Sequence, residues 1–312
     1  MGSVTNLDAR AVFGVLPART ILMLKRLLLI LATSGTALAG APSADRWDEL
    51  HTLLQSPQWR QAEPAVRDLA QQESAEAHYW LALMALARGE GETAVEQAQA
   101  ATELDATHAN YFATLGYAYV ERLDEVGMMS KLGVAHGLRD AFQQALELDP
   151  HNQDALRGLQ QFYLLAPGIA GGSKEKAAET MARLEEIDPL EARLMAGLTA
   201  LEQKRFEEAR EHLNAVIAED PDNPLALYQS GRLSAKSGQD LETGKQHLQR
   251  YLQLQLPIAL MMPSEGAAHW RLGQILAKMG QPQAARDSLA QAVELEPALS
   301  DDVDKVLQKL KS

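Results

Sequence analysis

Histidine is the side chain best suited to bind metal or move protons near neutral pH, and this chain carries eight, at positions 51, 78, 108, 136, 151, 212, 247 and 269. They are scattered along the chain, and none has a second ligand at the spacing of a metal site or of a metalloprotease helix. Carboxylates are plentiful at 42, so pairs on helix faces arise by chance, and none sits in an apolar run that would raise its pKa. Cysteine is absent, which removes disulfides, thiolate ligands and thiol nucleophiles together. No G-x-S-x-G elbow is present. Asp220-Pro221-Asp222-Asn223 has the acids of a calcium loop but lacks its glycine and closing glutamate. The sequence therefore predicts no catalytic residue, no metal and no cofactor, and the protein is expected not to be an enzyme.

The elements around these residues are predicted to be helical. Ala, Leu, Gln and Glu dominate the 312 residues, and aromatics make up only 5%; the four common types keep their rotamer freedom in a helix. The charge balance is acidic, 29 Lys+Arg against 42 Asp+Glu, with no dense basic run beyond Lys25-Arg26. Such a surface offers nothing to hold phosphate backbones, so nucleic acid is excluded as a partner.

Residues 1–39 read as an N-terminal extension and a signal peptide. Lys25-Arg26 precede the apolar run Leu27-Leu28-Leu29-Ile30-Leu31-Ala32, and Ala37-Leu38-Ala39 supplies an A-x-A end. The run is shorter than the roughly 20 apolar residues of a membrane-spanning helix, so no integral membrane protein is expected after cleavage. Translation is expected to start at Met23 and cleavage to follow Ala39. Loss of residues 1–39 moves the net charge from −13 to −16. With no cysteine to accept a lipid, the product is expected to be periplasmic or secreted.

From residue 40 to 312 the chain repeats itself. Glu103-Leu104-Asp105-Ala106 recurs as Glu147-Leu148-Asp149-Pro150, Glu186-Ile187-Asp188-Pro189, Ala218-Glu219-Asp220-Pro221 and Glu294-Leu295-Glu296-Pro297. Each phrase closes a stretch of helical period, and proline stops its continuation. The last copy carries Leu272-Gly273, Leu276, Gly280, Ala285, Leu289, Ala292, Leu295 and Pro297. This resembles the tetratricopeptide repeat, a pattern of about 34 residues forming two antiparallel helices. The small residues Gly273 and Ala285 mark where the two helices cross closely, and Gly280 the turn between them. Earlier copies include Leu81, Ala82, Gly89 and Ala94; Leu115, Gly116 and Phe142; Leu156, Tyr163 and Ala177; Gly197 and Ala209; and the looser Gly231, Gly238 and Leu248. Trp47 to Glu73 reads as a degenerate pair split near Ser56-Pro57, and Ser300 as the cap of a final, solvating helix from Asp301 to Leu310. The resemblance implies an all-α fold, a right-handed superhelical solenoid of about six to seven helix pairs, because one pair cannot bury its own apolar face.

Two places break the period. About ten extra residues fall within 123–137, where Met128-Met129 and three glycines read as lengthening the second helix of that repeat. About five more make the loop Ala166-Pro167-Gly168-Ile169-Ala170-Gly171-Gly172-Ser173. This stretch looks like a signature of a group of exported bacterial tetratricopeptide proteins. It lacks the G-x-x-x-x-G-K-[ST] order of a phosphate loop, and it reads as a wide turn with Ser173 capping the next helix. Binding of a small ligand or glycan at 166–173 is kept as an alternative.

The resemblance also implies where a partner would sit. Mapped by register, the inner-face positions of the first helices include Tyr79, Tyr117, Arg157, Tyr228, Arg232 and Trp270, residue types that often anchor interfaces. The lysine and asparagine of carboxylate-clamp relatives are missing, with Ala113 and Tyr117 at comparable sites. The expected function is a non-enzymatic adaptor holding a protein or peptide partner in the cell envelope. A periplasmic chaperone for an exported protein such as a c-type cytochrome is the rival.

Overall fold

The recurring acidic phrases set the geometry of the fold. At Asp105, Asp149, Asp188, Asp220 and Glu296 the backbone leaves its helix in nearly the same extended conformation, with φ of −145°, −137°, −146°, −126° and −143°. At two of them the carboxylate also closes the next turn: Asp105 Oδ1 accepts the Thr107 amide at 2.9 Å and Asp149 Oδ1 the His151 amide at 3.0 Å. One repeated phrase thus makes one repeated corner.

The computed structural model describes residues 44–254 and 256–310; the predicted leader and its cleavage point lie outside them. Among the described residues every regular element is helical. Helices α1 (Ala44–Leu54) and α2 (Glu63–Ala70) flank a 3-10 turn at Trp59–Ala62, close to the predicted split. The following pairs are α3 (Ala75–Leu86) with α4 (Gly91–Leu104), α5 (Ala109–Glu125) with α6 (Met128–Leu148), and α7 (Gln153–Leu165) with α8 (Lys174–Ile187). Then come α9 (Pro189–Glu202) with α10 (Phe206–Glu219), α11 (Pro224–Ser237) with α12 (Leu241–Gln253), α13 (Glu265–Lys278) with α14 (Pro282–Leu295), and the single α15 (Ser300–Lys309). Partners within a pair pack on each other and successive pairs stack, so the chain is an all-α repeat solenoid.

Polar caps start most first helices. Ser74, Asn152, Asp188, Asn223 and Ser264 each accept the amide three residues on, at the starts of α3, α7, α9, α11 and α13, which satisfies a donor the helix leaves free. Ser300 differs from its predicted role. It lies inside α15 with helical angles (φ −50°), Leu299 stands at the cap position, and no side chain caps this end.

Close approach is where the small residues act. A Cβ on Gly273 would stand 2.6 Å from Leu289 Cγ, and one on Gly231 2.3 Å from Leu248 Cγ. The buried core is a chain of successive apolar clusters rather than one centre, as expected when each pair covers only its neighbours.

The extra residues at 123–137 extend both helices of their pair, α5 to 17 residues and α6 to 21, with only Val126 and Gly127 between them. The loop at 166–173 is a 3-10 turn, Gly168–Ala170, followed by Gly171 at φ 102°. Gly172 passes so near the Ala166 carbonyl that an added Cβ would lie 1.8 Å from its oxygen. Ser173 caps α8 by accepting the Lys176 amide. The glycines there serve a tight chain reversal.

The connection from α12 to α13 is unlike the others. Residues 256–264 form no helix, and Ile258 packs on the cluster holding Leu50, Leu81 and Met84 in the first two pairs. Ile258 lies four residues past Leu254, so chain reach allows at most about 14 Å between their Cα atoms. The stack therefore curls enough to bring its sixth pair within one short strap of its first two.

Candidate functional site

The predicted anchors fall on five of the first helices. Tyr79 is on α3, Tyr117 on α5, Arg157 on α7, Tyr228 and Arg232 on α11, and Trp270 on α13. Their surroundings divide them into two groups.

Tyr117 and Tyr228 are buried, at 8% and 6% exposure, so neither offers its ring to an incoming partner. Tyr117 stands edge-on to Phe142 with ring centroids 5.1 Å apart. Its hydroxyl donates to the Asp154 carbonyl at 3.0 Å and contacts Met261 Sδ at 2.9 Å, and burial pushes its pKa far up. Tyr228 packs on Tyr251, 5.7 Å between centroids. Both were placed by register on the inner face; the space they would have offered is filled by neighbouring side chains.

The other four are half-buried. Tyr79 lies between Trp80 and Tyr111, 5.2 Å from each, and burial pushes its phenol to about 12. Trp270 has the Arg271 guanidinium 3.8 Å over its ring, and its indole N–H has no partner among the described residues. Arg232 reaches Glu202 at 2.5 Å and Gln229 at 3.2 Å. Beside it, Lys236 lies 3.8 Å from the other Glu202 oxygen. Arg271 bonds Gln274 at 3.1 Å, and burial pulls its pKa down, with nearby Arg232 adding to that. Arg232, Lys236 and Arg271 thus cluster at one end of the face in an otherwise acidic protein, with Arg232 and Lys236 sharing Glu202 and Asp302 acting on Arg271.

At the middle of the face Arg157 bridges two acids on adjacent pairs. It donates to Glu191 at 3.1 Å and pairs with Asp154. Glu191 corrects the expectation that no carboxylate is apolar enough to shift: burial raises its pKa even though Arg157 pulls the other way. The Arg157 that faces it belongs to α7, one pair earlier, which no local run of sequence displays.

The feature that sequence reading missed is the strap at 256–263. Leu260 and Met261 pack on the cluster of Ala113, Tyr117, Leu159 and Phe162, while Met262 packs on that of Leu156, Leu194 and Leu198. The strap thereby lies across the ends of α3, α5 and α7 and covers part of the face expected to stand open. Beside it a cleft of about 300 Å³ is lined by Leu86, Tyr117, Val120, Gln161 and the strap itself. The visible signal was Pro257-Ile258-Ala259-Leu260-Met261-Met262-Pro263, an apolar run without helical period between two helices of the loosest repeat.

Among the described residues no group of three His, Asp or Glu side chains could hold a metal ion, and no helix is long and apolar enough to cross a membrane.

A family model described as tetratricopeptide repeat matches residues 48–109, 169–224 and 194–251, and a second of the same description matches 266–299; together they take in more than half of the chain. Among solved structures the chain is similar to the Cut9–Hcn1 hetero-tetramer of the APC/C, at 16% identity and a TM-score of 0.56. That match covers 92% of this chain and 52% of the other, so the chain spans about half the length of that relative. It is also similar to a tetratricopeptide repeat protein from Parabacteroides merdae, at 12% identity and a TM-score of 0.54, over 85% of this chain and 97% of that one. At these identities both likenesses concern the fold. Among curated proteins none matches.

Proposed function

The chain belongs to the tetratricopeptide-repeat proteins, and from that premise we propose that it is a non-enzymatic adaptor that holds a protein or peptide partner along its inner face, in the periplasm. Proteins of this repeat bind protein or peptide partners. The observation that carries the reading for this chain is the composition of that face: half-buried Tyr79, Arg157, Arg232 and Trp270, spread over four first helices, with Tyr117 and Tyr228 as their backing. Aromatic and arginine side chains held rigidly at an accessible surface are the usual sources of interface energy. The cationic end formed by Arg232, Lys236 and Arg271 adds a preference for an acidic group at one end of the partner.

The periplasmic location rests on the charged, apolar and A-x-A parts of residues 23–39. Location and binding are tested separately. N-terminal sequencing of the periplasmic fraction is expected to return Gly40-Ala41-Pro42; a chain still carrying residues 23–39 in the cytoplasm overturns the location alone. In-cell crosslinking from a photoreactive residue at Arg232, which is accessible where Tyr228 is not, is expected to trap a protein partner. The adduct is expected to be lost in Trp270→Ala. An adduct that persists unchanged in that variant rejects this face as the binding surface.

A further inference from the structure

Resting on the adaptor reading, we propose that the groove floor around Tyr117 is a receptor for an extended, uncharged, apolar peptide segment, and that residues 256–263 occupy it in cis as a stand-in for that ligand.

Four observations carry this. The strap has the chemistry of a ligand rather than of a linker: after Leu256, the residues Ile258, Leu260, Met261 and Met262 lie between Pro257 and Pro263 with no charged residue, where connecting loops are ordinarily polar and surface-exposed. It contacts side chains far away in sequence, Tyr117 through Met261 and the first two pairs through Ile258. It is held as a ligand is held. Among the described residues no backbone hydrogen bond joins 256–262 to the helices, and Pro263 alone has its carbonyl taken by the Tyr251 hydroxyl. Ile258, Leu260, Met261 and Met262 are only half-buried. Lastly, it is held under strain: Met261 has φ 59°, a left-handed conformation that a side chain with Cβ disfavours. A segment fastened by a few half-buried side chains, with no hydrogen-bond ladder, belongs to the weakly held part of a fold.

The cleft of about 300 Å³ beside the strap gives an incoming chain a first foothold, lined by Leu86, Val120 and Gln161. Val120 is 43% exposed there. Methionine is flexible and polarizable, so Met261 and Met262 can repack as one apolar segment replaces another. A groove filled in cis binds its ligand with an affinity reduced by the fraction of time it stands open, so the strap also sets a threshold that weak apolar segments do not cross.

The test uses the full mature chain and a fluorescent synthetic peptide copying residues 256–263, with anisotropy as readout. In the variant Ile258→Ser, Leu260→Ser, Met261→Ser, Met262→Ser the strap keeps its length and loses its grip. This variant is expected to bind the peptide at least ten-fold tighter than the wild-type chain. Adding Val120→Asp, at an exposed position on the cleft wall, is expected to weaken that binding at least five-fold. A control peptide with glutamate at the places of Ile258 and Leu260 is expected not to bind. Helical circular dichroism and a cooperative melt establish that each variant is folded. If the serine variant does not fold, saturable binding of the peptide to the wild-type chain, weakened by Val120→Asp, supports the proposal, and no binding overturns it. A folded serine variant that binds no tighter than wild type, or takes the glutamate peptide equally well, also overturns it. Crosslinking from Arg232 that survives such a result leaves the adaptor reading standing without this ligand class.

Discussion

Phe142 sits between two glycines of different repeats, and single atoms there have measurable consequences. A Cβ on Gly158 would stand 2.2 Å from its ring and one on Gly116 2.4 Å. The ring is fully buried, so it has nowhere to go. Gly158→Ala is expected to cost about 1–3 kcal/mol of stability, the usual penalty for overpacking a filled core. Gly133 is an exposed position of helix α6 with nothing near its missing Cβ. Gly133→Ala is expected to gain about 0.5–1 kcal/mol through the restricted unfolded chain. Urea midpoints of the two variants should therefore move in opposite directions. Glu191 supplies a pH dependence. Its folded pKa lies above the ordinary 4.5, so over the window above that value the folded chain holds a proton that the unfolded chain has released. Stability falls as pH rises through that window. Arg157→Met removes the main attraction to the carboxylate form, so the fall should extend to higher pH, and breaking a buried pair should cost about 3 kcal/mol near neutrality. Glu191→Gln should flatten this part of the pH profile. Urea unfolding between about pH 5 and 8 reads all three chains.

At the scale of the element, caps and ends decide. Asn152 is buried, accepts the Ala155 amide at 2.9 Å and donates to Asn110 at 2.8 Å, which ties α7 to α5. Asn152→Ala is expected to cost about 2 kcal/mol, the upper range for a cap, while Ser300→Ala should be nearly neutral because its hydroxyl caps nothing. Thermal melts of the pair check this. The cap at Ser173 was visible as a residue type that favours helix starts, and its hydroxyl accepts the Lys176 amide. Ser300 showed the limit of that reading: Leu299 ends a 3-10 turn with φ −78° and ψ −3°, and the helix simply continues from it. A type preference yields when the preceding backbone is already helical.

For the whole molecule, stability is shared between neighbours. The final helix α15 buries Val303 on Leu289 and Ala292, next to Trp270. A chain ending after Pro297 exposes that cluster, and a stack loses solubility without its polar end. This truncation is expected to lower the melting temperature by several degrees, since about 1–2 kcal/mol shifts a domain of this size by that much. It should also self-associate in analytical ultracentrifugation. A truncated chain as stable and monodisperse as the full one would show that α15 is dispensable.

The acidic phrases, the glycines at helix crossings and the spacing between them determined the solenoid, because each acts through neighbours within one repeat, where sequence distance and space nearly coincide. The repeat register also put Tyr79, Arg157, Arg232 and Trp270 on first helices, where the structure leaves them half-buried. The contacts of Tyr117 with Asp154 and Met261, and of Glu191 with Arg157, were decided only when separate repeats came together, since those atoms come from other parts of the stack. The strap belongs wholly to the tertiary structure. Residues 256–263 reach Tyr117 across more than a hundred residues of chain, and only the curl of the whole stack brings the two together. A period read along the sequence reports what lies next to what; it does not report where the superhelix returns on itself.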